Sequence, residues 1–198
     1  MYYSKINKFD LNNGDGCRVT LFCSGCRNHC QQCFNQETWN FKFGQEFTDD
    51  TLNEIIEALK PDYIDGITFL GGEPFEPENQ PTILKIIKRI KEELPNKTIW
   101  SFTGYTLDYD LINLTETIYD SKLYGIARFT KYTEYTDEIL QNLDVLIDGK
   151  FMFDKTDPKL IFRGSANQRI IDVPKTLEQQ HIVLIEKYMD KEHGSLVR

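Results

Sequence analysis

Hydrophobic and polar positions along the chain follow two periods, that of buried strands and that of amphipathic helices. Short apolar runs predict strands at 18–24, 64–70, 98–102 and 144–148. Apolar residues at helical spacing predict one helix that is capped by Thr48 and ends before Pro61, and a second that begins at about Pro81. A polar stretch near 111–119 is weakly helical, and the pattern assigns no element to 120–136.

Strands that alternate with helices indicate a mostly parallel sheet in an α/β fold. Right-handed crossovers then bring the carboxyl ends of the parallel strands to one edge. With about five or six strand–helix units, the chain is too short for a closed eight-unit barrel, so we expect an open partial (β/α) barrel. A length of 198 residues predicts a single domain over 1–198, in which 194–198 is either a tail or a cloning remnant.

Composition and charge narrow the class of protein. Hydrophobic residues make up 40% of the chain and aromatic residues 13%, which is enough for a globular core. A formal net charge of -8 disfavours nucleic acid as a partner. No apolar run approaches the roughly 18 residues that span a bilayer, and the polar start 1–8 lacks a signal-peptide core. We therefore expect a cytoplasmic protein without a membrane partner.

The five cysteines are clustered at positions 17, 23, 26, 30 and 33, which favours a metal site over disulfides. The spacing Cys26-x3-Cys30-x2-Cys33 places three thiols on the loop after the first predicted strand. A structural zinc ion takes four protein ligands and would need a fourth from Cys17, Cys23 or His29. A cubane iron–sulfur cluster held by three cysteines leaves one iron open to a substrate. We therefore favour a catalytic cluster, and expect Cys17 and Cys23 to be small buried apolar residues.

Other distinctive residues also follow predicted strands. Gly71-Gly72-Glu73 follows the second strand, Thr103-Gly104-Tyr105 the third and Gly149 the last. The edge at the carboxyl ends of parallel strands is where α/β proteins place their active sites. Glycines permit close approach of the backbone to a ligand, and the Glu73 carboxylate is suited to an ammonium group. By itself, the glycine pair equally suits a tight turn.

The cysteine spacing resembles that of the radical S-adenosylmethionine superfamily. The segments around it, Arg18-Val-Thr-Leu-Phe-Cys-Ser-Gly-Cys26 and Cys33-Phe-Asn-Gln-Glu-Thr-Trp39, are similar to the activating subunits of anaerobic ribonucleotide reductases. The similarity continues through Gly71-Gly72-Glu73-Pro74, Trp100-x2-Thr-Gly-Tyr-Thr106, Asp148-Gly-Lys-Phe151 and Arg163-Gly-Ser-Ala-Asn-Gln-Arg169. The resemblance extends from residue 14 to about residue 173, and leaves the role of 163–169 open.

This resemblance implies a glycyl-radical-enzyme activating enzyme with one 4Fe-4S cluster, ligated by Cys26, Cys30 and Cys33. Such an enzyme cleaves S-adenosylmethionine reductively to a 5'-deoxyadenosyl radical, which removes hydrogen from a glycine of the reductase. The residues that the resemblance places against S-adenosylmethionine are Gln32, Cys33, Phe34, Gly71, Gly72 and Glu73, and we add Thr103 as a further candidate contact.

The implied partners are the large subunit of the anaerobic ribonucleotide reductase and a low-potential electron donor, either flavodoxin or a ferredoxin. Two alternatives stay open on the sequence. One is a radical S-adenosylmethionine enzyme whose substrate is a small molecule. The other is a non-catalytic module in which cysteines bind a metal for structure or electron transfer.

Overall fold

The computed structural model of the chain describes residues 1–112 and 131–189, and these residues form an open, mixed α/β sheet. The described strands are Tyr2–Asp10 (β1), Arg18–Cys23 (β2), Gln45–Glu46 (β3), Gly66–Gly71 (β4), Thr98–Phe102 (β5), Val145–Asp148 (β6) and Arg169–Asp172 (β7). The described α-helices are Asp49–Leu59 (α1), Gln80–Glu93 (α2), Thr136–Asn142 (α3), Val173–Gln179 (α4) and Glu186–Met189 (α5).

The strands lie in the order β3-β1-β2-β4-β5-β6-β7. The four central strands β2, β4, β5 and β6 pair in parallel, which confirms the sheet predicted from the alternation of strands and helices. The outer strands β1, β3 and β7 pair antiparallel to their neighbours. These outer strands were not predicted, since they are short or lack a regular alternation of apolar and polar residues.

Parallel pairing brings the ends of the central strands together. Cys23, the last residue of β2, pairs with Gly71, the last residue of β4. On the next strands, Phe102 at the end of β5 pairs with Ile147 of β6. The segments that follow these strands therefore leave the sheet at one edge, as predicted.

The two predicted helices are confirmed. At the start of α1, the Thr48 hydroxyl accepts a hydrogen bond from the Thr51 backbone N–H, and the Thr51 hydroxyl accepts one from the Thr48 N–H. α2 has Pro81 in its first turn, where a missing N–H costs no helical hydrogen bond. The helix expected near 111–119 falls mostly outside the described residues, and a π-helical turn at Leu107–Leu111 precedes it.

Both faces of the sheet are covered. Successive strand residues point to opposite faces, so Leu146 joins the larger hydrophobic cluster with α1 and α2, while Val145 and Ile147 join a smaller one around Trp100. Cys17 belongs to the larger cluster. Within 1–112 and 131–189, no helix combines the length and apolar character that a membrane span requires. The expected tail 194–198 lies outside the described residues.

Candidate functional site

The cysteine loop, residues 24–35, begins directly after Cys23 and is anchored at its start. Gly25 has a φ of 97°, and its N–H donates to the Thr38 carbonyl oxygen at 2.7 Å. The Cys26 N–H donates to the Trp39 carbonyl oxygen at 3.3 Å. The segment that follows the cysteine motif thus returns along the start of the loop and fixes the position of Cys26.

The three motif cysteines line one cavity at the carboxyl edge of the sheet. The cavity opens to solvent, and its empty space together with the adjoining solvent amounts to about 800 Å³. Its wall also contains five further residues that the sequence analysis selected, namely Phe34, Gly71, Gly72, Glu73 and Thr103. Gln32 has a left-handed φ of 54°, is exposed, and lies outside this wall, so its contact with a cofactor stays a prediction.

The cysteine thiols are free and mostly buried. Cys26 and Cys30 are buried, Cys33 is partly exposed, and Cys23 is completely buried beside them, as expected of an apolar residue. Burial raises the pKa of Cys26 to about 12, and the nearby Glu73 carboxylate adds to this shift. Burial also raises the pKa of Cys30. Bound iron would have to replace these protons to form thiolate ligands.

This donor set fits an iron–sulfur cluster. Among the described residues, no group of three His, Cys, Asp or Glu side chains is arranged to hold a single metal ion. In a cubane cluster each thiolate binds a different iron, so the ligands surround a shared cavity and do not converge on one ion. Cys26, Cys30 and Cys33 line such a cavity. At its edge, the Asn35 N–H donates to the Cys33 sulfur at 3.4 Å.

Two glycines, Gly71 at the end of β4 and Gly72 directly after it, allow close packing against β2 and the cysteine loop. Gly71 has a φ of 107°, and a Cβ there would lie 2.7 Å from the Phe22 backbone. A Cβ on Gly72 would lie 2.6 Å from the Gly25 carbonyl oxygen. The Glu73 N–H donates to that same oxygen at 2.8 Å. Close packing of the end of β4 against β2 therefore requires Gly71, and contact with the cysteine loop requires Gly72, in addition to any role in ligand approach.

The Glu73 side chain is buried, and both of its carboxylate oxygens are occupied. Oε1 accepts from the Phe75 N–H at 2.9 Å and from the Thr103 hydroxyl at 2.8 Å. Oε2 accepts from the Gly104 N–H at 2.7 Å and from the Asn28 amide at 3.1 Å. Burial raises the pKa of Glu73 to about 7, although these hydrogen bonds oppose the shift. The carboxylate thus joins the cysteine loop to the turn after β5.

A second buried carboxylate, Glu76, lies three residues further along and was missed by the sequence analysis. It accepts from the Arg27 backbone N–H at 2.8 Å and from the Arg27 guanidinium at 2.6 Å. It also accepts from the Tyr105 hydroxyl at 2.8 Å and from Lys131 at 3.2 Å. Burial alone would raise the pKa of Glu76, but the hydrogen bonds from Tyr105 and Arg27 hold it below its ordinary value. Nothing in the sequence distinguishes the buried Glu76 from Glu78, its exposed neighbour.

Known proteins are similar to this chain over most of its length, including the cysteine-rich region. A family model described as a 4Fe-4S single cluster domain matches residues 12–171. The chain is 40% identical over 172 residues to an anaerobic ribonucleoside-triphosphate reductase-activating protein of Pasteurella multocida (strain Pm70), covering 86% of this chain and 96% of that protein. The Escherichia coli (strain K12) protein of the same name is 39% identical over 170 residues, covering 85% of this chain and 96% of that protein.

The chain belongs to the family of anaerobic ribonucleoside-triphosphate reductase-activating proteins. A relative of the same name from Enterobacteria phage T4 is 37% identical over 171 residues, covering 86% of this chain and 93% of that protein. The family resemblance drawn from the sequence motifs is thereby confirmed. The 4Fe-4S domain match covers Cys26, Cys30 and Cys33.

The segment Arg163–Arg169, which carries part of the family resemblance, supports the part of the cavity wall that follows β6. The Gln168 amide oxygen accepts from the backbone N–H groups of Gly164 at 2.8 Å and Ser165 at 3.1 Å. The Gln168 amide nitrogen donates to the Gly149 carbonyl oxygen at 3.0 Å. The Ser165 hydroxyl accepts from the Met152 N–H at 3.1 Å. In this member of the family, the segment therefore fixes the loop after β6.

The same segment also leads into β7, the strand at the edge of the sheet. Arg169 begins β7, and its guanidinium donates to Asp148 at the end of β6 and to Asp108 after β5. The loop after β6 carries Phe151, whose ring lies 5.6 Å from that of Phe34 and lines the cavity. Phe34 itself is 80% exposed. Both rings of this aromatic pair line the cavity, and a contact between Phe34 and a cofactor stays a prediction.

Proposed function

We propose that this chain activates an anaerobic ribonucleotide reductase by forming a glycyl radical on its large subunit. The observation that carries the proposal is the meeting of three free cysteines with the Gly71–Glu73 turn at one open cavity. In the proposal, Cys26, Cys30 and Cys33 hold one 4Fe-4S cluster and leave its fourth iron to S-adenosylmethionine.

The cofactors supply the radical chemistry. Held by Cys26, Cys30 and Cys33, a reduced cluster together with S-adenosylmethionine would supply reductive cleavage to methionine and a 5'-deoxyadenosyl radical, the species that would take a hydrogen atom from a glycine of the reductase. The protein's part is to bind and orient. Burial of Cys26 and Cys30 shields one side of the site from water. Family membership supports the choice of reductase as the target.

The remaining contacts are proposed from the wall of the cavity. The methionyl end of S-adenosylmethionine would contact the turn at Gly71, Gly72 and Glu73, together with Thr103. The other side of the cofactor would contact Gln32, Cys33 and Phe34. A glycine inside a folded partner reaches this site only if a partner loop enters the cavity mouth, which is open to solvent. A low-potential donor, flavodoxin or a ferredoxin, would supply the electron.

Three broader features belong to the same proposal. The sheet would curve as an open partial (β/α) barrel of about five or six units, which leaves one end accessible to the partner. Residues 1–198 would form a single domain. The protein would act in the cytoplasm, where its reductase and electron donor are expected.

The decisive experiment is anaerobic. The cluster is reconstituted and reduced, S-adenosylmethionine is added, and 5'-deoxyadenosine is measured with and without the reductase, with Cys30→Ala as the control. We expect cleavage together with a glycyl-radical EPR signal on the reductase. Cleavage without that signal would indicate a small-molecule substrate. A protein that takes up metal but gives no cleavage under verified reducing conditions would instead be a metal module.

A further inference from the structure

Glu73 and Glu76 connect the same two segments of the site. One hydrogen-bond partner of each carboxylate belongs to the cysteine loop, Asn28 for Glu73 and Arg27 for Glu76. Another lies on the turn at residues 103–105, which follows β5. Two buried acids in the segment after β4 therefore join the cysteine loop to the turn after β5.

The Glu73 carboxylate has no accepting position left for a ligand. A carboxylate accepts at about four lone-pair positions, and Glu73 accepts four hydrogen bonds, two on each oxygen. The residue is only 1% exposed. An ammonium group in the cavity would have to displace Asn28, Thr103 or a backbone N–H before it could reach this carboxylate.

The segments joined by Glu73 are in direct contact. A Cβ on Gly104 would lie 2.4 Å from the Asn28 amide nitrogen, so the Asn28 side chain packs directly against the turn after β5. The hydrogen-bonding partners of Glu73 are uncharged. A buried carboxylate is stable in such surroundings only when all of its donors are in place. Its ionised form therefore favours one relative placement of the two segments.

We propose that Glu73 and Glu76 are positioning residues that hold Cys26 and its loop in the geometry needed for the cofactors. The methionyl end of S-adenosylmethionine then meets the backbone of the Gly71–Glu73 turn, and the Glu73 carboxylate does not contact it. The cofactor contact rests on the proposed function, whereas the placement of the loop does not.

The test compares Glu73→Gln and Glu76→Gln with Glu78→Gln as the matched control. Glu78 lies on the same turn and binds Arg27, but its side chain is 50% exposed. The first readout is hydrogen–deuterium exchange of backbone amides in the metal-free, reduced protein. In Glu73→Gln the new amide NH2 group must face at least one N–H donor, so one buried hydrogen bond is lost. Hydrogen–deuterium exchange at Gly104 and in the cysteine loop should then rise about tenfold or more, the factor that such a loss implies.

The second readout is ligand affinity of the cluster-loaded protein. S-adenosylmethionine is compared with an analogue that lacks the amino group. If Glu73 acts by positioning, Glu73→Gln weakens both ligands by the same factor. If its carboxylate binds the ammonium group, the variant weakens only the ligand that carries it, and the proposal is overturned.

The exchange measurement tests whether the two acids position the cysteine loop, and it does so whether or not the chain binds S-adenosylmethionine. If the chain does not bind S-adenosylmethionine, only the proposed function fails. Unchanged exchange in both Glu73→Gln and Glu76→Gln overturns the inference. Should Glu73→Gln fail to fold, Asn28→Ala provides the same test, since it removes one donor and leaves the carboxylate in place. We expect faster exchange in the cysteine loop of that variant, and unchanged exchange there would count against the proposal.

Discussion

Gly164 lies against the ring of Phe151, so close that a Cβ at Gly164 would come within 2.9 Å of the ring carbon Cδ2. We predict that Gly164→Ala displaces this ring and disturbs its contact with Phe34. The partly exposed ring can move, so the free energy of unfolding should fall by less than about 1.5 kcal/mol. Affinity for S-adenosylmethionine, measured by calorimetry on the cluster-loaded protein, should fall several-fold.

A double-mutant cycle checks this cause. Phe151→Ala removes the ring, so adding Gly164→Ala to it should change affinity little further. If Gly164→Ala weakens binding equally in both backgrounds, its effect does not pass through Phe151.

The second prediction concerns the cluster ligands. Replacing Cys26, Cys30 or Cys33 with Ala should prevent assembly of a stable 4Fe-4S cluster and abolish cleavage of S-adenosylmethionine. Iron and sulfide content and visible absorbance after anaerobic reconstitution provide the measurement. Cys17→Ala is the control, because Cys17 lies in the hydrophobic core and should affect stability without loss of iron. A metal-replete variant of any motif cysteine that retains turnover would contradict the ligand assignment.

The third prediction concerns Arg18, which is 1% exposed and donates five hydrogen bonds, four to strand residues and one to the segment before β2. Its guanidinium donates to the Thr68 hydroxyl, to the Thr98 hydroxyl and carbonyl oxygen, and to the carbonyl oxygens of Asp15 and Ile67. Lysine has only three donors, so Arg18→Lys leaves buried acceptors unpaired. Chemical denaturation should show a loss of about 2–4 kcal/mol in the free energy of unfolding.

The matched control for Arg18 is Arg89→Lys on the surface of α2. Arg89 forms an ion pair with Glu93 one helical turn away, both partly exposed. Such pairs contribute little, so this variant should stay within about 0.5 kcal/mol of the wild type. Similar losses for both variants would mean that the buried hydrogen bonds of Arg18 are not the cause.

The fourth prediction is a pH dependence at Asp10, at the end of β1. Burial alone would raise the pKa of Asp10, but hydrogen bonds from Asn12, Asn13 and Thr20 outweigh it and hold the pKa below its ordinary value. Because the folded pKa is depressed, this stabilisation is present above the unfolded pKa, about 4, and is lost as pH falls through the folded pKa. Asp10→Asn lacks this titration.

Denaturation at a series of pH values measures the effect. At pH 7 the wild type should be more stable than Asp10→Asn by about 1–2 kcal/mol, and the difference should shrink as the pH is lowered below about 4. A difference that stays constant down to the acid transition would show that the Asp10 carboxylate is not stabilised as its contacts imply.

Periodicity was enough to predict the centre of this fold. Thr48 and Pro81 mark the starts of α1 and α2, and the central parallel strands follow from short apolar runs. The outer strands were missed for a physical reason. β1 is polar at many positions, and β7 begins with Arg169, so their pairing depends on the strands beside them.

The site was predictable where chemistry is local and unpredictable where it depends on distant partners. Three cysteines within eight residues indicate a metal cluster from the sequence alone. Glu73, in contrast, was expected to face a ligand, and only the folded chain shows that its carboxylate is occupied by Asn28 and Gly104. Glu76 carries no local sign of burial, because its partners lie up to 55 residues away.

The sequence by itself determined the family, the cysteine motif and the edge of the sheet at which the site forms, because spacing, periodicity and handed crossovers are properties of neighbouring residues. Tertiary structure decided which polar side chains are available to a ligand. That choice depends on burial and on donors from separate loops, which become neighbours only when the parallel strands align their carboxyl ends.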